Sequence, residues 1–473
     1  MSAEEITRLA YLVPVALFVL GIKRLARVRT ARTGNLLLAV GVLLAVVITL
    51  VEMGLVNYGW MVLGVVAGGA VGVITVLRAS ATSMPQVVAR FNGFSGAAAA
   101  LVGLALFWEE VVSPDTGEGA IGLMGVMAAL ALAVSVVIGA ATLSGSVLAE
   151  AKLWGRLNRL TRIPGRGPLV VGASVLALAT MALSLSPVDV RYAVPAISLL
   201  LLFGLAAGFV AVAPVGGADM PVMISLLNSV SGLAVAASGF AIGNTMLIMG
   251  GIIVGAAGLM LTQIMCVAMN RTLLSVFAGG LGEVVSGEGD SYENVVGSDP
   301  EEAAMVLEAA RNVVIVPGYG LAAARAQQSA ADLADALAEQ GVQVRFAIHP
   351  VAGRMPGHMN VVLAEADVPY DRLVEMERIN SDFPNVDLVI VVGANDVVDP
   401  AADRASGSPI AGMPILDVEN ARRVMVVKRS LSPGYAGIKN ELFERDHCTM
   451  LFGDAKQVLE DLVREFRAGV STS

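Results

Sequence analysis

The chain has 473 residues, 56% of them hydrophobic and only 15% charged, with a mean hydropathy of +0.74. So apolar a composition excludes a wholly soluble protein and points to a membrane. The net charge of -9 argues against nucleic acid as a partner, and two cysteines as far apart as Cys266 and Cys448 argue against a disulfide or a metal site.

The chain opens with Glu4 and Glu5 rather than with the basic, apolar and cleavage-site order of a signal peptide. Apolar runs follow at 6–22, 34–52, 57–77, 84–108, 119–143, 168–186, 192–213, 221–241 and 244–268. Each is about the 17–25 residues that a helix needs to cross the hydrocarbon. The expectation is a membrane all-α bundle of about nine transmembrane helices over 1–273. The last two runs share almost no linker and should form a tight hairpin. Gly64, Gly68, Gly69 and Gly72 in the third run, and Gly250, Gly251, Gly255 and Gly258 in the ninth, offer small faces for close helix packing.

Connecting charges suggest an orientation. Lys23, Arg24, Arg27, Arg29 and Arg32 follow the first run, and Lys152, Arg156, Arg159, Arg162 and Arg166 follow the fifth. Glu109, Glu110, Asp115 and Glu118 follow the fourth. By the positive-inside rule, loops after odd-numbered runs are cytoplasmic, as is the part that follows Arg271. Residues 148–160 read as a basic amphipathic helix on the inner surface.

Two of the runs begin alike. Met84-Pro85, six residues, Asn92, two residues, Ser95-Gly96 recurs as Met220-Pro221, six residues, Asn228, two residues, Ser231-Gly232. Proline suits a first helical turn. An asparagine seven residues later lies about 10 Å deeper on the same face. An amide at that depth needs a partner or water, so Asn92 and Asn228 either bond between helices or line a water or ion path. Asp219, just before the second copy, either caps that helix or relays protons at its mouth.

Residues 286–300 (SGEGDSYENVVGSDP) turn polar and Gly-rich, within a linker placed at 274–300. A domain over 301–473 then alternates strand and helix. Strands are expected at 313–316, 342–348, 386–392, 424–427 and 450–452. Helices are expected at 301–310, 322–340 (stopped by Gly341), 370–379 and 455–466. This is an α/β Rossmann-like pattern with a parallel sheet, whose ligands bind at the carboxyl ends of the strands. The first of those strands runs into Gly318-Tyr319-Gly320 with Ala323 in the third place of a dinucleotide fingerprint. Gly318 would make the tight turn, and Gly320 would let a pyrophosphate approach a helix N-terminus. The second strand ends Ala347-Ile348-His349, without the acid that holds a ribose 2′-hydroxyl. Lys428-Arg429-Ser430 instead offers an ammonium, a guanidinium and a hydroxyl, which suit a 2′-phosphate if they are not simply a solvated basic turn. Together these favour NADP(H) over NAD(H).

Longer strings carry a resemblance. HPVAGRMPGHMNVVLAEADVPYD (349–371), GAND (393–396), SPIAGMPIL (408–416), KRSLSPGYAG (428–437), MLFGDAK (450–456), GADMPVMISLLNSVSG (217–232) and MCVAMNR (265–271) closely resemble the beta subunit of proton-translocating NAD(P) transhydrogenases. The resemblance covers essentially the whole chain. It implies a subunit that binds NADP(H) and couples proton movement to hydride transfer. An alpha subunit would carry the NAD(H) domain and the remaining membrane helices. It implies a dimer of such heteromers in the bilayer of a bacterial inner membrane.

The resemblance also implies roles for single residues. Gly318, Tyr319, Gly320 and Ala323, with Val351, Ala352, Gly353, Arg354, Met355 and Pro356, would hold the pyrophosphate and nicotinamide side. Gly393, Ala394, Asn395, Asp396 and Val397, together with Gly412, Met413, Asp454 and Ala455, would line the cleft. Asp396 would couple protonation to NADP(H) affinity. Lys428, Arg429 and Ser430 would hold the 2′-phosphate under a lid of Leu431, Ser432, Pro433, Gly434 and Tyr435. Asn92 and Asn228 would line the proton path. Some relatives carry histidine at the position of Asn92, and an amide does not titrate, so the titrating group would be Asp219 or would lie on the partner. Two other classes remain to be weighed: a secondary transporter with a regulatory nucleotide domain, and a channel gated by NAD(H). The first predicts broken helices and a midplane substrate site, where the sequence has the repeat but few polar groups, and the second an acid after Ile348, which is absent.

Overall fold

The computed structural model describes residues 9–25, 28–53, 58–109, 126–157, 190–216, 219–270, 272–278, 292–355, 357–404, 410–434 and 436–472. They form two compact units. One comprises Met1–Ala79, Met84–Gly217 and Met223–Thr262, the other Gln263–Ser473 with Ser80–Ser83 and Ala218–Val222.

The first unit is built of helices: α1 (Leu12–Leu25), α2 (Val28–Met53), α3 (Tyr58–Leu77), α4 (Met84–Phe107), α5 (Val126–Leu153), α6 (Val190–Val212), α7 (Met220–Ile242) and α8 (Thr245–Ala268). Among the described residues, seven helices, α2 to α8, are long and apolar enough to cross a membrane. A helix suits that task because it satisfies its own backbone N–H and C=O groups. The first apolar run appears as α1, with 14 residues. The run at 168–186, Arg27, Arg159, Arg162, Arg166, Arg271 and the acidic loop beyond Glu109 lie outside the described residues.

Two readings of this unit need correction. The helix of the fifth run extends to Leu153, past the expected end at 143; it is described from Val126, and 119–125 lie outside the described residues. Residues 148–153 are accordingly the end of that helix and not a separate surface helix, and Gly155 (φ 72°) turns the chain just beyond it. Lys152 accounts for the extension. Its ammonium donates to the carbonyls of Val215 (2.9 Å), Val212 (3.3 Å) and Ala213 at the end of α6, a favourable place for a cation whose stem lies along apolar surface.

The α7–α8 hairpin is as tight as expected. Gly243 (φ 76°) makes the turn, and Asn244 Oδ1 accepts from Leu247 N at 3.0 Å. The two helices touch backbone to backbone: a Cβ on Gly251 would stand 2.6 Å from Gly232 O, and one on Gly258 2.8 Å from Ser229 Cα. Ser229 Oγ donates across to Gly255 O at 2.6 Å. The glycines of α3 behave differently from expectation. Gly64, Gly68, Gly69 and Gly72 meet nothing within 4 Å among the described residues, because that helix is nowhere buried.

The second unit holds a seven-stranded, wholly parallel sheet: β1 (Val296–Gly297), β2 (Asn312–Pro317), β3 (Gln343–Ile348), β4 (Leu373–Glu375), β5 (Leu388–Val392), β6 (Val424–Lys428) and β7 (Cys448–Phe452), in the order β1-β7-β6-β5-β2-β3-β4. The cores of β2 (Val313–Val316), β5 (Leu388–Val392) and β6 (Val424–Val427) are runs of Val, Ile, Leu and Met buried on both faces, as strands between two helical layers must be. One face packs on Leu307, Leu333, Leu337, Leu459 and Phe466, the other on Ile379, Phe383, Leu416 and Phe443.

The helices between the strands depart from expectation in two places. The single helix over 322–340 is two, Tyr319–Ala323 and Gln327–Glu339, separated at Arg325 with φ 53°. The expected helix over 370–379 is a 3-10 turn (Tyr370–Arg372), then β4, then one helical turn (Met376–Ile379). Leu373 and Val374 find a free edge beside Phe346 and Ala347, and that pairing overrides local helix propensity. A helix that composition did not single out spans His358–Glu365. Val296 and Gly297, from the stretch read as linker, pair with Thr449 and Met450.

Candidate functional site

The strand order reverses between β2 and β5, since β3 and β4 lie to one side of β2 and β5, β6 and β7 to the other. Loops leaving two such strands diverge, and a crevice opens at their carboxyl ends. A cavity of about 500 Å³ lies there.

Its floor is made of glycine. Gly318 N donates to Val392 O (2.9 Å) and Gly320 N to Gly393 O (2.8 Å). A Cβ on Gly318 would stand 2.5 Å from Ala394 Cα, and one on Gly320 2.6 Å from Gly393 Cα. Gly393 itself has φ 65°, a conformation that favours glycine. The fingerprint glycines therefore let the loops after β2 and β5 interlock. The close approach that Gly320 permits here is that of the Gly393 backbone.

On the β3 side, Val351, Ala352 and Gly353 line the crevice. The buried His349 fixes their path: its Nδ1 accepts from Val351 N (3.2 Å), so its Nε2 carries the proton and donates to Pro414 O (2.8 Å). Burial lowers the His349 pKa to about 4, although the Pro414 carbonyl and Glu377 favour the charged form. Gly353 (φ 107°) packs on the His358 ring, and the Arg354 guanidinium lies 4.3 Å above the Tyr319 ring.

On the β6 side, Lys428 points inward. Its Nζ donates to Asn395 Oδ1 (2.6 Å) and Ser432 O (2.9 Å), and lies 4.9 Å above the Phe443 ring. Burial lowers its pKa to about 8, and Asp396 opposes the shift. Arg429 is exposed and pairs with Asp454 at 2.6 Å, which holds the Asp454 carboxyl below its ordinary pKa. Ser430 Oγ donates to Ser432 Oγ (2.9 Å). Asp396 accepts from Asn395 Nδ2 (2.9 Å) at one oxygen and from Ala436 N (3.0 Å) at the other. A Cβ on Gly434 would collide with the first of these oxygens.

Most of the expected residues thus meet at one crevice. Gly318, Tyr319, Gly320, Ala323, Gly393, Ala394, Asn395, Asp396, Val397, Met413, Lys428, Arg429, Ser430, Ser432, Pro433, Gly434 and Ala455 join the β3-loop residues in its lining. Arg354, Met355, Gly412, Leu431 and Asp454 are not in the lining, though Arg354 and Asp454 touch residues that are. Pro356 and Tyr435 lie outside the described residues. Sequence reasoning missed Ala436 and Gly453, which also line the crevice, and the fully buried Asn440. Asn440 Nδ2 donates to Asn395 O (2.9 Å), and its Oδ1 accepts from Leu442 N (2.9 Å). Its only signal in the sequence is its place three residues after the GYAG string.

In the helical unit, both copies of the repeat meet at a second cavity of about 580 Å³. Asn92, Ser95, Asn228 and Ser231 line it, with Asn244 and apolar groups such as Phe18 and Phe91. Asn92 Nδ2 donates to Ile224 O at 3.1 Å, so that amide bonds between helices and also borders the cavity. Asp219 is fully buried and is not in the lining.

Residues 7–465 match the family model described as NAD(P) transhydrogenase beta subunit. Two Rhodospirillum rubrum proteins, each named NAD(P) transhydrogenase subunit beta, are 42% identical to the chain over 466 residues, which is 98% of this chain and 99% of theirs. With seven membrane-length apolar helices among the described residues, a parallel sheet with a crevice at its switch point and a match over nearly the whole length, the chain belongs to the NAD(P) transhydrogenase beta subunit family.

Proposed function

We propose that the crevice binds NADP(H), and that the chain couples proton movement to hydride exchange with NAD(H) held on an alpha subunit. The observation that carries this is Lys428, a desolvated cation at the carboxyl end of β6, followed by Arg429 and Ser430 at the same crevice. A 2′-phosphate there would restore the charge that burial disfavours. On the other side of β2, Ile348 is followed by His349 and not by an acid. The floor of Gly318, Gly320 and Gly393 is free of side chains, which suits the close approach of a nucleotide.

When bound, the nicotinamide supplies the hydride chemistry. The chain's own groups hold and orient. Lys428 and Arg429 neutralise phosphate, Ser430 donates to it, and Ser432, Pro433, Gly434 and Ala436 cover the crevice. Asp396 ties that cover to the β5 loop through Ala436 N. Hydride exchange between the two nucleotides is nearly thermoneutral, so protons drive it only by changing NADP(H) affinity, a reciprocal coupling between two sites. Asn92 and Asn228 would carry a water file along the second cavity, with Asp219 or a partner group as the titrating site. The basic residues around α1 and after α5 support a cytoplasmic second unit, in a bacterial inner membrane. The assembly would be a dimer of alpha–beta heteromers.

Calorimetric titration of the purified full chain with NADP+ and NAD+ tests the nucleotide, and equal affinities would refute the assignment. Proton uptake by vesicles carrying the chain and its alpha subunit tests the path. Asn228→Leu should insert normally and lose most coupled uptake, while hydride exchange on nucleotide that stays bound survives. Normal uptake in that variant would make Asn228 an ordinary helix contact.

A further inference from the structure

Behind Asp396 lies a second carboxyl group that the proposed mechanism does not use. Asp399 is fully buried, one turn past Asp396, whose carbonyl accepts from Asp399 N at 3.3 Å. Its Oδ1 accepts from Ala401 N at 3.0 Å. Its Oδ2 is shut off from solvent and makes no regular hydrogen bond among the described residues, although the Glu441 amide is near enough to favour the charged form. A buried carboxylate so sparsely bonded is costly as an anion.

The charged groups around it make the anion costlier still. Asp396 faces it from its own loop, Glu441 from the 3-10 turn Glu441–Glu444, and the Tyr292 phenol from the chain before β1. The two acids repel it. The nearby cations are turned elsewhere, Lys428 to Asn395 and Asp396, and Lys439 to Glu444 and the Tyr292 ring. Burial above all, then these acids, raises the Asp399 pKa to about 6.

Its position gives that titration a lever. Asp399 sits in the joint where the crevice loop 393–398 meets the segment 436–442. Asn440 Nδ2 to Asn395 O (2.9 Å) and Ala436 N to Asp396 Oδ2 (3.0 Å) cross the joint, and Asn440 N donates to Tyr292 Oη (3.0 Å) beside it. Asn395, Asp396 and Ala436 line the crevice.

We propose that Asp399 is a positioning residue of the crevice, which holds the 393–398 loop against the 436–442 segment when it is protonated and lets them part when it ionises. A neutral acid removes the repulsion from Asp396 and Glu441 and leaves the joint dry. An anion is stabilised only by admitting water or a cation, and either must enter between the two segments. Parting them moves Asn395 away from Asn440 and Ala436 away from Asp396, and so reshapes the wall that Lys428 braces. The joined arrangement binds the proton more tightly, so by linkage falling pH favours it. A displacement of about two pH units from the ordinary value limits the bias to roughly a hundredfold. The link from the joint to a nucleotide rests on reading the crevice as an NADP(H) site.

The test uses the purified full chain in two arms. In the first, hydrogen exchange of peptides covering 436–444 is followed without nucleotide at about pH 5 and about pH 7.5, corrected for the intrinsic rate. The parent should be protected at the lower pH and more open at the higher one, and Asp399→Asn should be equally protected at both. Glu441→Gln removes one repelling charge, and with exchange also followed between those two pH values its midpoint should lie below the parent's by a fraction of a unit. In the second arm, NADP+ affinity should fall severalfold or more from the lower to the higher pH in the parent, and clearly less in Asp399→Asn. If Asp399→Asn keeps the parent's exchange difference, the proposal is overturned. Should that variant not fold, an unmoved midpoint in Glu441→Gln overturns it equally. If exchange behaves as stated and neither chain binds NADP+ at any pH, the crevice assignment fails and the pH-dependent joint stands.

Discussion

Replacing Gly320 with alanine tests the interlocked floor directly. The new Cβ would stand 2.6 Å from Gly393 Cα. Carbon atoms rest about 3.5–4 Å apart, so the loops after β2 and β5 must separate by about 1 Å. Neither side has a flexible side chain to move aside. Gly320 N is bonded to Gly393 O, and Gly393 is already in a left-handed turn. Overpacking of this kind costs about 1–3 kcal/mol. For a domain of this size that corresponds to a fall of roughly 2–12 °C in Tm. The assay is thermal unfolding of the purified full chain with and without NADP+, beside Gly297→Ala, whose Cβ would meet nothing within 4 Å. The variant at 320 should melt lower and gain less from NADP+, and the variant at 297 should match the parent. Parental melting and parental NADP+ affinity in Gly320→Ala would refute the reasoning.

Other expectations follow from the same crevice. Arg429→Ala should weaken NADP+ by about 1 kcal/mol, the low end of a charge-assisted bond because the side chain is 68% exposed, and should leave NAD+ binding unchanged in parallel titrations. Lys428 is mostly neutral above about pH 8, so a phosphate that restores its charge should draw up to one proton from solution near pH 9. Calorimetry in buffers of different ionisation enthalpy reads that uptake, and none would mean that Lys428 does not meet phosphate. His349 has its folded pKa lowered to about 4, so below about pH 6.5 the unfolded chain binds the extra proton and stability falls as pH drops toward 4, by up to about 3 kcal/mol. His349→Gln should remove that contribution, as read in denaturant titrations across pH. Asp399, with its pKa raised, contributes the opposite slope between about 4 and 6, so the parent's profile should be flatter than that of either single variant.

The strands of the second unit were readable because their burial is written locally. Four β-branched residues in a row at 313–316 have no amphipathic alternative and must lie between two layers. The ends of those strands were readable for the same reason, since Gly, Asn, Asp and Lys interrupt apolar runs. Helices were harder. Leu373 and Val374 form a strand only because Phe346 and Ala347 present an unpaired edge, which no local window contains. The break at Arg325 lies in an Ala-rich stretch whose propensity argues for continuous helix. The repeat placed Asn92 and Asn228 at one cavity from spacing alone, because identical positions on two like helices share a depth. Asp399 was invisible as a special residue. An acid before proline looks like a turn, and its burial comes from the packing of chain more than 40 residues later.

The shortest strand has a consequence for the order in which the domain assembles. β1 is two residues long and exposed, and its partners Thr449 and Met450 lie about 150 positions along the chain. Every other neighbouring pair in the sheet closes a shorter loop. Loop-closure entropy makes such a distant pairing the last to form, and its small number of hydrogen bonds makes it the first to open. The nascent domain can therefore complete the crevice between β2 and β5 before β1 docks, and the mature one can release β1 without disturbing β2, β5 or β6. The strand that joins the sheet to the preceding chain works as a latch that closes late and frays early, and the six-stranded core behind it folds as a unit of its own.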